Sequence, residues 1–155
     1  MTELVKLERV RKGDFVVNFN NGLNTKTFTW TGSRNGKNMA LNVPTEVFEW
    51  LAHSTSTIST GELRLVETQP NVEKIKSNIP DLEEYENNAH SREDIVKLIK
   101  GNINKMKSEL NKVTSQAEKQ FIKSIADELN NEGEGLPKGK NDFINEWIRL
   151  KSDNE

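Results

Sequence analysis

The apolar residues of this chain change period once, from steps of two in the first half to steps of three and four in the second. Phe15, Val17 and Phe19 alternate with Val16, Asn18 and Asn20, the spacing of a half-buried strand. Asn21-Gly22 follows, a pair that readily accepts positive φ and predicts a tight hairpin. Phe28 and Trp30 line one side of the next strand, with Thr27, Thr29 and Thr31 on the other. Glu3 to Val10 alternates loosely before the hairpin, and Met39, Leu41 and Val43 share a face after it. Pro44, whose missing N–H is harmless in a first helical turn, opens a short helix carrying Val47, Phe48, Trp50 and Leu51. Leu63 and Leu65 then alternate with Arg64 and Val66 in a last strand from Glu62 to Glu67. An α+β chain is expected, in which residues 1–68 form a small SH3-like or OB-like β-barrel.

The second half carries a helical period. Ile95, Ile99, Ile103, Met106, Leu110 and Val113 fall on one stripe, predicting a single amphipathic helix from Ser91 to Val113. Ser91 suits its N-cap, and Glu93 and Asp94 suit its positive end. Gly101 lies inside that helix, at a cost of about 1 kcal/mol relative to alanine that a close crossing offsets or a kink relieves. Ser115 to Glu118 has capping-box spacing, with Glu118 reaching back to the cap backbone. It opens a second helix bearing Phe121, Ile122, Ile125, Ala126 and Leu129. A glycine-rich loop leads to Asn141 as the cap of a third helix, with Phe143, Ile144, Trp147, Ile148 and Leu150 on its apolar strip. Residues 91–151 are thus expected to form a three-helix unit, frayed from Lys151 to Glu155.

Between the halves, residues 69–90 contain Pro70, Pro80 and the run Asp81 to Glu86. They read as a partly ordered acidic linker, with a short helix over Asn71 to Ser77 ended by Pro80. Ile79, Leu82 and Tyr85 are its docking residues.

Composition narrows the function. Of 155 residues, 30% are charged, yet the net charge is only -2, unlike a general nucleic-acid binder. The long predicted helix alone is locally basic: Arg92, Lys97, Lys100, Lys105, Lys107 and Lys112 outnumber Glu93, Asp94 and Glu109. Cysteine is absent, which excludes disulfides and thiolate metal sites. The N-terminus lacks a signal-peptide core, and no apolar run reaches the roughly 18 residues of a membrane span. The expected location is the cytoplasm of a bacterial cell or host, with virion association as an extension.

Motifs for chemistry are nearly missing. Gly133-x-Gly135 before Lys138 and Lys140 lacks both the ending and the preceding strand of a phosphate loop. His53 and His90 have no partners at ligand spacing; Asp81, Glu83, Glu84 and Glu86 suit a divalent cation, and a charged link explains them as well. No cofactor, metal or enzymatic activity is expected. Phe15, Phe19, Phe28, Trp30, Phe48 and Trp50 suit a β core better than base stacking, because their region is almost neutral, with eight Lys/Arg against seven Asp/Glu from Met1 to Thr68.

Gly13-Asp14-Phe15, Val43-Pro44 ahead of Phe48 and Trp50, and Ser91 to Ile95 ahead of the long helix carry a family likeness. In this organisation the chain resembles small accessory or structural proteins of prophages from Gram-positive bacteria. The resemblance implies particle assembly or a phage-encoded interaction with a host protein, and supplies no functional residues. The expected function is a non-enzymatic protein-interaction or assembly module, with Tyr85, Trp147, Ile99 and Leu110 at a surface for a partner or a second copy. The alternative is a nucleic-acid-binding regulator touching phosphates through Lys97, Lys100, Lys105, Lys107 and Lys112. Neither reading involves a membrane.

Overall fold

A computed structural model describes residues 3–34, 37–133 and 135–149. The strands are β1 (Leu4–Arg9), β2 (Phe15–Asn20), β3 (Thr25–Trp30), β4 (Met39–Pro44) and β5 (Arg64–Leu65). β1 lies between β4 and β5 in one antiparallel sheet, while β2 and β3 form a separate ribbon. Period-2 alternation turns Val5, Leu7, Val17, Phe19 and Trp30 inward. The Trp30 indole N–H donates to the Leu7 carbonyl at 2.9 Å and fastens the ribbon onto the sheet.

The expected barrel does not form. Neither sheet closes, because β1 and β2 do not pair and the last strand pairs only at Arg64 and Leu65. A side chain replaces that strand further along β1: the Lys6 N–H donates to Gln69 Oε1 and Gln69 Nε2 donates to the Lys6 carbonyl, both at 2.8 Å. The hairpin is as expected, but its loop is longer than a two-residue turn. Asn21 Oδ1 accepts the N–H groups of Leu23 and Asn24, each at 2.9 Å, so an asparagine side chain organises the reversal.

After β4, α1 (Thr45–Ser54) starts directly behind Pro44 and buries Val47, Phe48 and Leu51 against the sheet. Residues 69–90 hold two helices, α2 (Val72–Lys76) and α3 (Leu82–Asn88). Tyr85 of α3 enters the first core, and its hydroxyl oxygen accepts the Leu65 N–H at 2.8 Å on the outer edge of β5.

Among the described residues of the second half there are four helices, not three: α4 (Arg92–Lys100), α5 (Ile103–Leu110), α6 (Gln116–Asn130) and α7 (Lys138–Arg149). The single helix expected over Ser91 to Val113 breaks where Gly101 takes an extended conformation. Asn102 restarts it, its Oδ1 accepting from the N–H groups of Asn104 (2.8 Å) and Lys105 (3.2 Å). Buried Lys140 donates from Nζ to the carbonyls of Ile99 (2.6 Å) and Gly101 (2.7 Å), satisfying the end of α4. The stripe survives the break: Ile95, Ile99, Met106, Leu110 and Val113 are all buried in the second core. Each such side chain contributes about 1.5–3 kcal/mol by leaving water. α7 begins before Asn141, whose side chain bonds Asn130 and the Leu136 carbonyl instead of capping. Leu150 and Lys151 to Glu155, expected on and beyond the last helix, lie outside the described residues.

Burial pushes the Tyr85 hydroxyl up to about 12, against a smaller lowering by the Leu65 hydrogen bond. A phenol with a raised folded-state pKa contributes stability that is complete below its ordinary value of 10.0 and lost as pH rises through about 12. Tyr85 is the single tyrosine, so phenolate absorbance reports it alone. We expect that absorbance to rise near pH 12 in the native protein and near pH 10 in concentrated urea; equal midpoints would contradict the docking of α3.

Candidate interaction surfaces and the polar junction

The four residues expected at a partner surface lie inside the chain's own cores. Ile99 and Leu110 are fully buried, and Tyr85 and Trp147 are each 2% exposed. The Trp147 indole N–H donates to the Leu110 carbonyl at 3.0 Å, and the Lys119 ammonium sits 5.6 Å from the Trp147 ring centre. These residues therefore hold the fold. Lys97, Lys100, Lys105, Lys107 and Lys112 are exposed but divided between α4, α5 and the turn after it. Lys107 lies over Phe143, and Lys112 pairs with Glu109 at 3.2 Å.

The chemistry of the molecule concentrates where its halves meet. Glu118, in the first turn of α6, is 1% exposed. Its Oε1 accepts from Arg11 Nη2 (3.1 Å) and Nε (3.3 Å), while Oε2 accepts the His90 N–H (3.2 Å) and lies 2.9 Å from His90 Nδ1. Arg11, itself buried, also donates to Glu62 Oε1 (2.6 Å) and to the carbonyls of Thr60 (2.7 Å) and Asn88 (3.3 Å). Arg9 adds a second guanidinium on Glu62, and burial lowers its pKa against the pull of that carboxylate. At the rim, Glu128 takes Lys12 and Arg92, each at 2.6 Å. The Lys12 hydrogen bond leads in drawing the Glu128 pKa below its usual range.

Asn88 is the second pin. Its Oδ1 accepts the N–H groups of Thr114 (2.9 Å) and Ser115 (3.1 Å), and its Nδ2 donates to Ser59 O (3.0 Å) and Thr114 Oγ1 (2.8 Å). This explains a departure from the expected capping box. Ser115 does accept the Glu118 N–H at 3.3 Å, but its own N–H belongs to Asn88, which frees the Glu118 carboxylate for Arg11 and His90. Gly61 is required alongside: its φ is +77°, and a Cβ there would meet the Asn88 carbonyl oxygen at 2.0 Å.

A buried carboxylate beside a histidine resembles an acid–base pair. Here both Glu118 oxygens are already engaged by Arg11 and His90, and the group clamps the two halves together. Asp81, Glu83, Glu84 and Glu86 do not gather around a cation: Asp81 caps α3 by accepting the Glu84 N–H at 3.1 Å. Among the described residues no group of three acidic or histidine side chains is placed to hold a metal, and no helix is long and apolar enough to cross a membrane. Sequence reasoning gave Arg11 no role and treated Glu118 only as part of a cap. The available signal was that Glu118 precedes Phe121, Ile122 and Ile125 by three, four and seven residues, which puts a carboxylate on the apolar stripe.

The surface that does face outward without charge is the ribbon. Between Asp14 and Arg34 the one charged residue is Lys26. Val16, Asn18, Asn20, Thr25, Thr27 and Thr29 are exposed on the strands, and Leu23 at the tip is 88% exposed.

Removing one member of the clamp leaves a charge stranded. We expect Arg11→Met to lower the unfolding free energy by about 3–5 kcal/mol in urea denaturation. The double variant Arg11→Met/Glu118→Leu should recover part of that loss, because no unpaired carboxylate remains. A double variant less stable than Arg11→Met would refute the clamp.

Comparison with known families follows the division into halves. Residues 3–81 match the YonA N-terminal domain, and residues 91–154 match the YonA C-terminal domain. No curated protein and no solved structure matches the chain. The two domains are named after a phage protein and together cover nearly all of the sequence, in order. The chain therefore belongs to the phage-associated family defined by the YonA N-terminal and C-terminal domains.

Proposed function

We propose that this chain is a non-enzymatic protein-interaction module of a phage system, which engages its partner through the outer face and tip of the β2–β3 ribbon. The observation that carries this reading is the neutral ribbon itself. In a chain with 30% charged residues, a long exposed stretch with a single lysine has the composition of an interface centre, where charge is depleted. Leu23 at its tip is 88% exposed and, among the described residues, belongs to neither hydrophobic core, and Val16, toward the other end of the outer face opposite Thr29, is half exposed. The buried polar groups point the same way, since the junction uses them to fix the halves and not to present them to a substrate. The proposed setting is the cytoplasm of a bacterial cell, in particle assembly or in contact with a host protein.

A second reading rests on Lys97, Lys100 and Lys105, which are exposed and, among the described residues, have no acidic partner. Three free cations suit phosphate, and such binding would fall steeply with salt. Affinity capture from lysate of phage-carrying cells separates the readings. We expect a protein retained after nuclease treatment, and its recovery reduced at least tenfold by Leu23→Asp while stability changes by less than about 0.5 kcal/mol. Retention that nuclease abolishes, that Lys97→Glu/Lys100→Glu removes and that Leu23→Asp spares would favour the phosphate reading.

A further inference from the structure

β1 has an open edge on the side of β5. The Thr45 N–H donates to the Glu3 carbonyl at 3.1 Å, so Glu3, Val5 and Leu7 turn their backbone groups toward β4. Leu4, Lys6 and Glu8 therefore address the opposite edge. Glu8 meets β5 there, and Lys6 is closed by Val66 and by the side-chain amide of Gln69. That amide behaves as one peptide group of an added strand, with its oxygen accepting and its nitrogen donating at 2.8 Å. Leu4 is the next position on the same edge. Its N–H and carbonyl face away from β4, and no strand lies there among the described residues.

A cleft of about 450 Å³ opens at this place, a size suited to one or two side chains of a ligand. The edge at Leu4 and Lys6, the apolar Val5, Phe48 and Ile75, and the cation of Lys74 line it. Lys6 and Lys74 against Glu3 leave the lining net positive, and neither lysine has an ion-pair partner among the described residues. Asn71, also in the lining, is the one non-glycine described residue with positive φ (61°), and its side chain does not cap α2. A held left-handed residue beside a cleft is a recurrent property of binding sites.

We propose that this cleft binds an extended acidic peptide by strand addition. The peptide backbone pairs with the free N–H and carbonyl of Leu4, and an apolar side chain enters between Val5, Phe48 and Ile75. Strand addition explains the combination of features: the edge supplies backbone bonds, the alternation of the added strand sends one side chain inward, and Lys6 and Lys74 receive its acidic neighbours. The site is separate from the ribbon, so its fate does not depend on the function proposed above.

The probe is the capped pentapeptide acetyl-Thr-Val-Asp-Leu-Glu-amide, titrated into the isotope-labelled full chain with amide resonances followed by NMR. Saturable shifts are expected at Leu4, Lys6, Asn71, Lys74 and Ile75. Leu4→Pro removes the edge donor without touching the β1–β4 ladder, and should weaken binding about tenfold. The same peptide N-methylated at Val and Leu should bind at least as weakly to the unaltered chain, which keeps the test decisive if Leu4→Pro fails to fold. Leu23→Asp should leave binding unchanged. Absence of saturable shifts, equal binding of the N-methylated peptide, or the same shifts from glutarate alone would overturn strand addition; the glutarate result would mark a small-acid site instead.

Discussion

A carboxylate in the apolar flank of a helix has to find hydrogen-bond donors or destabilise the fold, and Glu118 finds them across the junction. Arg11 comes from the chain just after β1 and His90 from the segment after α3, so one buried group draws three distant stretches together. Desolvation makes such a clamp demanding: attraction offsets the loss of hydration only when every lone pair and proton is used. That condition explains the density of bonds around it. Arg11 serves two carboxylates and two carbonyls, Asn88 serves both sides of the junction, and Gly61 is small enough to let Asn88 approach.

The same economy recurs where regular structure stops. Gln69 stands in for a strand beside Lys6, and Tyr85 terminates the outer edge of β5. Asn102 caps the restart of α5, and Lys140 satisfies the carbonyls left by α4. Short elements leave many unpaired backbone groups, and in each case a long polar side chain closes the deficit. The two cores supply the apolar stabilisation, while these side chains decide where each element ends and which neighbour it faces.

This division explains what was legible in the sequence. Period-2 and helical stripes located β1 to β4, the hairpin, α1, α2 and the inward residues of α4 to α6, because burial depends on spacing alone. Ile99 and Leu110 were readable as one stripe, but the break between them was not. It depends on Lys140, some forty residues away, and on an extended Gly101 that the pattern read as a close crossing or a kink within one helix. The capping box at Ser115 was half readable, since the cap is local and the fate of the Glu118 side chain is not. The acidic segment read as a link because its charges dominate its composition. Tyr85 and Asn88, its two buried anchors, carry the structural meaning there. The assignment of Tyr85, Trp147, Ile99 and Leu110 to a surface misread apolar side chains that the fold uses internally.

The missing barrel bears directly on the proposed sites. Closure would pair every strand on both sides and abolish the edges on which peptides add. With β5 only two residues long, β1 keeps an open position at Leu4, and the ribbon keeps an exposed face and tip. Natural sheets protect such edges with charge, and here the two open regions are treated differently: Lys6 and Lys74 flank the cleft, while the ribbon has a single lysine. Charge at the cleft selects an acidic strand and discourages pairing between copies through like-charge repulsion. Its depletion on the ribbon lowers the desolvation cost of a broad contact. The open architecture and the two proposed surfaces therefore share one physical cause, a sheet that ends before it can close.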